Sequence, residues 1–157
     1  MILSPTKYMN KVTEQVHARL SEDVLAIALF QPQTALVPGQ SRHQVRKQSK
    51  HTYVFAVTPS SVHAFGLKDR GYFDTGRVKE EIAVWPRQGM QVATGKGSTH
   101  LDVGDFAMPL SMELVTLRMA DGFVVTLGLT MTIMRDMMRK MIDGFVQALT
   151  GSAQPNT

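Results

Sequence analysis

The sequence contains no cysteine among its 157 residues. Disulfide bonds and thiolate metal ligands are therefore excluded, which is consistent with a reducing cytoplasm. Long hydrophobic runs are also missing, because the longest uncharged apolar stretch, residues 123–133, is well short of the roughly 20 residues that span a bilayer. Lys7, Lys11 and Glu14 interrupt any leader-like pattern at the start of the chain. We therefore expect a cytoplasmic protein, with peripheral attachment to a membrane left open.

Acidic residues are missing from residues 24–68, a window that contains five Lys or Arg. The rest of the chain carries 12 basic and 13 acidic residues, a net charge of −1, so the formal charge of +4 arises from this window. Four of its five cations lie in one short run with two histidines: Arg42, Arg46, Lys47 and Lys50. A concentrated field of one sign attracts an anionic partner, whereas scattered charge mainly aids solubility.

Motifs for catalysis and for metal binding are missing as well. The five histidines form no His-x-x-x-His or His-Glu-x-x-His pair, and only His100 with Asp102 and Asp105 has any likeness to a ligand set. No serine lies in a Gly-x-Ser-x-Gly elbow. Glu80 and Glu81 are adjacent on a predicted strand and so point to opposite faces. We therefore expect no enzyme activity, no cofactor and no metal site.

The length of the chain and its 43% hydrophobic and 19% charged content fit one globular domain. A Ser-Pro start and helical spacing of Tyr8, Val12 and Val16 predict an amphipathic helix within residues 1–21. The segment Gly95-Lys96-Gly97 is predicted as a tight turn, and residues 33–50, which include the basic run, as a long loop. Apolar alternation predicts eight strands, at residues 24–31, 52–58, 61–67, 78–85, 89–94, 99–106, 112–119 and 123–130.

Apolar residues at strict three-four spacing predict a second helix over residues 132–150, followed by a disordered tail at residues 151–157. Four methionines widen its apolar stripe: Met134, Met137, Met138 and Met141. One side of a wide stripe packs on a sheet, and the other side is available to a partner or to a second copy of the chain, so a homodimer is one hypothesis. Trp85 is interpreted as a core or sheet-edge residue, with a pocket-lining role left open.

Three segments resemble the small bacterial members of the pleckstrin-homology-like (PH-like) superfold. Residues 20–26 (LSEDVLA) resemble the leader into its first strand, residues 54–65 (VFAVTPSSVHAF) its second-to-third strand hairpin, and residues 119–125 (MADGFVV) its last hairpin. The resemblance implies an α+β fold over residues 22–150. That fold is an antiparallel β-roll or partial barrel of seven or eight strands closed by the C-terminal helix, here with an extra N-terminal helix.

In phosphoinositide-binding members of that superfold, a Lys/Arg cluster between the first two strands holds the phosphates. Arg42, Arg46, Lys47 and Lys50 fall in the corresponding segment, although the strand ending at Gln31 carries no base. Other members bind peptides or proteins, and a shared fold does not fix the function. The resemblance implies a non-catalytic binding or scaffold module, whose partner is an anionic membrane surface or an acidic protein.

Two alternative functions stay open. One is a small ligand carrier or enzyme that uses the barrel interior, and a buried polar cluster there would favour it. The other is nucleic-acid binding, which is disfavoured because the basic run lacks interleaved aromatic residues for base stacking. Nucleic-acid binding would also need the basic run to join Arg87, Lys96 or the Arg135/Arg139/Lys140 face in one stripe.

Overall fold

The computed structural model describes residues 4–68, 75–130 and 135–151, with the side chains of residues 99–103 and 106–108 excepted. This part of the chain forms three helices and seven strands. In chain order they are α1 (Pro5–Arg19), β1 (Ala26–Pro32), α2 (Arg42–Gln48), β2 (Tyr53–Val57), β3 (Ser61–Lys68), β4 (Arg77–Pro86), β5 (Gln91–Val103), β6 (Phe106–Arg118), β7 (Val124–Thr130) and α3 (Arg135–Thr150). The predicted α+β class and both long helices are confirmed.

The strands form one antiparallel sheet in the order β4-β3-β2-β1-β7-β6-β5. The first strand joins its two halves, because Ala26 to Phe30 pair with β2 whereas Gln31 and Pro32 pair with β7. The two edge strands, β4 and β5, follow one another in the chain but do not pair in the described residues. The sheet is therefore open, and the expected closure into a roll is not observed.

The main core lies between the sheet and α3. Alternate residues of the central strands, such as Phe30 and Phe55, face this core and are fully buried. The Phe30 ring lies edge-on to Phe145 of α3, with centroids 5.1 Å apart, and Phe55 stacks on Trp85 of β4. Burial of large aromatic side chains supplies much of the stability of such a core.

The first helix, α1, covers the opposite face of the sheet. Its residues Tyr8, Val12 and Val16 are at most 2% exposed and pack on Leu29 and Val54. Ser4 caps the helix through a bond from the Lys7 backbone N–H, and Pro5 occupies the first turn. Both faces of β1, β2 and β3 are therefore largely buried, which explains their nearly continuous apolar sequences, whereas most residues of β4 are exposed.

Two local predictions were wrong. The basic run is not part of a loop, because residues Arg42–Gln48 form α2. Gly95-Lys96-Gly97 is not a turn either: β5 runs through it, paired residue by residue with β6, and the turn lies at Gly104 and Asp105. The predicted fifth and sixth strands are therefore parts of one long strand, β5, which forms a hairpin with β6. The described sheet has seven strands, which lies within the expected seven or eight.

The predicted C-terminal helix is confirmed over Arg135–Thr150. The described portion of α3 begins at Arg135, so Met134 and the predicted start at residue 132 lie outside the described residues. The same holds for the predicted tail beyond Gly151. None of the helices in the described ranges combines the length and the apolar character that a membrane-crossing segment needs.

Candidate functional site

The basic run is held in a defined helical conformation by its first residues. Ser41 is the N-cap of α2: its hydroxyl accepts from the Gln44 backbone N–H at 3.1 Å, and the Gln44 side chain accepts from the Ser41 backbone N–H at 2.8 Å. This reciprocal capping box satisfies two N–H groups that a short helix would otherwise leave unpaired. The side chains of α2 are therefore presented from a fixed backbone.

A chain of glutamine contacts attaches α2 to the preceding segment. Gln48 is only 7% exposed, and its side chain accepts from Gln40 Nε2 at 3.1 Å and donates to the Thr34 carbonyl oxygen at 3.4 Å. The Gln40 side chain in turn accepts from the Leu36 backbone N–H at 2.8 Å. Buried polar groups that are fully bonded give a site a unique geometry.

All four predicted cations of the basic run point away from this anchored side. Arg42, Arg46, Lys47 and Lys50 are exposed, and none of them forms an ion pair with another described residue. Arg42 and Arg46 lie four residues apart in α2, a spacing that places helical side chains on one face. Lys50 follows the C-cap Ser49 and adds a third charge in the link to β2.

A groove of about 350 Å³ lies next to the end of the basic run. His51 lines it together with two further cations, Lys68 at the end of β3 and Lys79 in β4. Tyr53 also lines the groove, and burial raises the pKa of its hydroxyl above the ordinary value of 10.0, so the phenol is protonated at neutral pH and its O–H can donate a hydrogen bond. The groove therefore offers hydrogen-bond donors and positive charge, with Glu80 as its one described acidic residue.

The strand register adds a further cation to the same end of the sheet. Lys68 lies directly opposite Arg77 in the antiparallel β3–β4 pair. Like charges at such positions destabilise a sheet unless an anion neutralises them. Sequence reasoning missed Lys68, Arg77 and Lys79 because they are far from α2 in the chain. Only the β3–β4 register brings them to one end of the sheet.

The methionines that were predicted as a partner surface are divided by the structure. Met138 is 7% exposed and belongs to the main core. Met137 and Met141 are half-buried, and Met141 contacts both core clusters. Since Met134 lies outside the described residues, the described methionines of α3 form a narrower accessible stripe than the sequence pattern predicts.

Two other cationic positions are already bonded within the protein. Both Nη atoms of Arg87 donate to carbonyl oxygens, among them those of Thr58 and Ala148 at 2.9 and 2.8 Å. Arg139 forms an ion pair with Glu113 at 3.0 Å. If Arg87 and Arg139 contacted phosphates in a continuous basic stripe, they would have to give up these internal bonds. Nucleic-acid binding is therefore less favoured.

The described interior holds few polar groups. Gln48, Thr58 and Glu113 are its buried polar residues, and each has a hydrogen-bond or ion-pair partner. Among the residues whose side chains are described, no three His, Asp or Glu side chains converge into a possible metal site. The side chains of His100 and Asp102 lie outside that description.

The candidate site therefore consists of the exposed face of α2, the groove beside it and the Lys68–Arg77 pair. Among the described residues, its chemistry is positive charge and hydrogen-bond donation on a fixed frame. A scan against protein-family models and a search of curated proteins both found no match.

Proposed function

We propose that this protein is a non-catalytic binding module that captures the anionic headgroups of membrane lipids. The observation that carries the proposal is a set of exposed cations on a capped helix and just after it, which have no ion-pair partner among the described residues. A groove that contains more cations adjoins the end of this set. Four Lys/Arg residues near an anionic membrane surface supply on the order of 1 kcal/mol each. Such binding falls as salt rises, because exposed charges are screened beyond about 8 Å at physiological ionic strength.

The groove favours a lipid headgroup over an acidic protein as the partner. An acidic protein requires a broad basic face, whereas a groove of about 350 Å³ lined by Lys68, Lys79 and the Tyr53 hydroxyl suits a compact anion. Phosphate oxygens accept several charge-assisted hydrogen bonds at once. The exposed face of α2 then contacts the surrounding anionic surface. An acidic protein partner is the alternative that the experiment below separates from this one.

A PH-like identity is part of the same proposal. It is supported by an antiparallel meander whose first strand pairs with both the second and the last, followed by a C-terminal helix on the core. In that interpretation α1 is an addition to the fold, and α2 lies between the first two strands. The apolar main core supports a binding module over a ligand carrier or an enzyme that uses the interior.

The test is co-sedimentation with vesicles of phosphatidylcholine alone, with added phosphatidylserine, and with added phosphoinositide, at low and high salt. The first variant replaces Arg42, Arg46, Lys47 and Lys50 by Ser. A matched control removes the same charge elsewhere, by changing the exposed residues Lys7, Lys11, Arg118 and Lys140 to Ser. A third variant, Lys68→Ser with Lys79→Ser, tests the groove.

We expect salt-sensitive binding to anionic vesicles only, lost in the α2 variant and kept in the control. Loss of phosphoinositide binding alone in the groove variant would assign the groove to the phosphate groups. Equal loss in the α2 variant and in the control would show a non-specific charge effect and contradict the proposed site. Absence of binding by the wild type would reject a lipid partner and leave an acidic protein as the candidate.

A further inference from the structure

The β4 strand forms one edge of the sheet, and among the described residues its second half pairs with β3 but with no strand on its other side. A sheet edge carries unpaired backbone N–H and C=O groups at every second residue, and these pair readily with another strand. In the described residues β4 pairs with β3 alone. What covers its other side therefore decides whether this edge is available for binding.

Helix α1 covers only the beginning of that edge. Gln15 accepts from the Val78 N–H at 3.0 Å and donates to the Gly76 carbonyl oxygen at 2.6 Å. Arg19 donates to the carbonyl oxygens of Val78 and Lys79. The side chains of α1 thus take the place of a neighbouring strand up to Lys79, and no described side chain is seen to do so from Glu80 onward.

Apolar side chains are concentrated on the uncovered half. The described surface has four strongly exposed large hydrophobic residues, of which Ile82 and Val84 lie in this half of β4 at 36% and 45% exposure. A third, Val37, lies in a groove of about 320 Å³ that the second half of β4 also lines. Exposed apolar residues that cluster in this way mark interaction surfaces, whereas single ones are ordinary.

The groove has fixed walls. Trp85 forms part of it and donates from Nε1 to the Leu36 carbonyl oxygen at 3.2 Å, which ties the segment after β1 to β4. The opposite wall is the turn between β6 and β7, which includes Met119 and Phe123. The groove is thus largely apolar and held in shape by the core, as in most preformed binding sites.

The two features fit a single kind of occupant. A strand added to β4 would direct alternate side chains to opposite faces of the sheet. Ala83 and Trp85 face the main core, so one set of incoming side chains would enter the groove and the other would cover Val84. Ile82 lies at the register shift between Glu81 and Ala83 and lines the anion groove instead. Strand addition with pockets for alternate side chains is a common mode of peptide recognition.

The charged residues near this edge favour a bound segment of positive charge. Between Glu80 and Pro86 the two charged residues are both acidic, and of these Glu81 is already bonded to His63 Nδ1 at 2.8 Å. Asp121 is the one charged residue among the described residues that line the groove. The next cation, Arg87, is bonded to four carbonyl oxygens. A basic segment is therefore attracted here, and an acidic one is repelled.

We propose that the second half of β4 and the adjoining groove bind an extended peptide that alternates apolar residues with Lys or Arg. This peptide site adjoins the anion-binding groove, because Glu80 and Ile82 line that groove as well, but it does not depend on anion binding. The peptide adds a strand along the second half of β4, places apolar side chains in the groove beside Trp85 and pairs its cations with Asp121 and Glu80.

The experiment measures binding of fluorescent eight-residue peptides to the full chain by anisotropy. The probe alternates Val with Lys. One comparison peptide alternates Val with Glu, and another is the Val/Lys peptide with N-methyl groups on alternate backbone nitrogens, which prevents strand pairing. The protein variant is Val84→Lys, and the matched control is Leu25→Lys, because Leu25 is 50% exposed and does not line the groove. Thermal unfolding of both variants checks that the fold is kept.

We expect micromolar binding of the Val/Lys peptide, weakened at least about tenfold, or roughly 1.4 kcal/mol, by Val84→Lys and unchanged by Leu25→Lys. The N-methylated and Val/Glu peptides should bind at least about tenfold more weakly than the probe. Equal binding of the N-methylated peptide, equal effects of the two variants, or no binding at millimolar concentration would overturn the proposal. A dimer in sedimentation that Val84→Lys dissociates would assign the edge to a second copy and would overturn it as well.

Discussion

The guanidinium group of Arg87 donates from Nη2 to the carbonyl oxygen of Ala148 at 2.8 Å, in the last turn of α3. The same group also donates to Leu149, and Nη1 donates to the carbonyl oxygens of Thr58 and Pro59 in the β2–β3 turn. One side chain thus joins three separate parts of the chain. A cation at this end of a helix is further favoured by the helix dipole.

We predict that Arg87→Ala lowers the free energy of unfolding by about 2–3 kcal/mol, since hydrogen bonds from a charged donor contribute roughly 1.5–3 kcal/mol. Arg87→Lys should recover only part of the loss, because a single ammonium group cannot reach both turns. Urea denaturation measures the effect. Arg118→Ala, at an exposed position, serves as the control and should change stability by less than about 0.5 kcal/mol. Equal stability of Arg87→Ala and the control would contradict the role of Arg87.

The elements with strong local patterns could be predicted from the sequence. Helix α3 and the hairpin turn at Asp121 and Gly122 follow from apolar spacing and turn chemistry alone. Helix α2 was missed because only its half-buried Val45 and buried Gln48 face the protein, too few for a visible period. Its capping box, Ser41 and Gln44 at the correct spacing, was the one available indication.

The glycines of β5 misled the prediction for a physical reason. Gly97 lies under the Leu114 side chain, since a Cβ there would be 3.0 Å from Leu114 Cδ1. Its small size therefore serves packing between strands, whereas the sequence pattern suggested a turn. The site was predictable only at Arg42, Arg46, Lys47 and Lys50. The groove around Lys68 and Lys79 depends on pairing between distant segments.

The carboxylate of Glu22 should make stability depend on pH. Hydrogen bonds from the Ser60 and Thr58 hydroxyl groups hold the pKa of Glu22 below its ordinary value of 4.5, and the nearby His63 lowers it further. A lowered native pKa contributes stability that is present above the unfolded pKa and is lost as pH falls through the native one. We therefore expect wild type to be more stable than Glu22→Gln at pH 7, and the difference to vanish in acid below the lowered native pKa.

Denaturant unfolding of both proteins across this pH range measures that difference. Asp23→Asn is the neighbouring control, at an exposed residue for which no such hydroxyl contacts are seen. This variant removes a charge from the same segment and leaves the hydroxyl contacts of Glu22 in place. A difference between wild type and Glu22→Gln that is as large in acid as at neutral pH would disprove the hydroxyl contacts as its source.

The ion pair between Glu113 and Arg139 should behave as a coupled unit. The Glu113 side chain is 12% exposed, whereas that of Arg139 is 44% exposed. Removing Arg139 leaves a largely buried carboxylate, so Arg139→Met should cost about 1–2 kcal/mol. This cost is lower than the roughly 3–5 kcal/mol expected when one partner of a fully buried ion pair is removed. Water still reaches the site, and Lys96 lies opposite Glu113 in the strand register.

The double variant Glu113→Leu with Arg139→Met should then be nearly as stable as wild type, since no unpaired charge stays in the core. Chemical denaturation of wild type, both single variants and the double variant gives the coupling free energy. Additive losses in the double variant would show that the two side chains act independently.

The capping residue Ser41 connects the fold to the proposed function. Ser41→Ala removes the capping box and should cost α2 about 1 kcal/mol, while every charge of the basic run is kept. If a fixed helix is needed for headgroup capture, affinity for anionic vesicles should fall by up to about fivefold. Hydrogen exchange at Val45 and Ser49, whose N–H groups donate to Ser41 and Val45, should become faster. Ser111→Ala, at an exposed strand position, is the control. If Ser41→Ala leaves the affinity for anionic vesicles unchanged although hydrogen exchange becomes faster, the charges alone suffice for headgroup capture and a fixed helix is not needed.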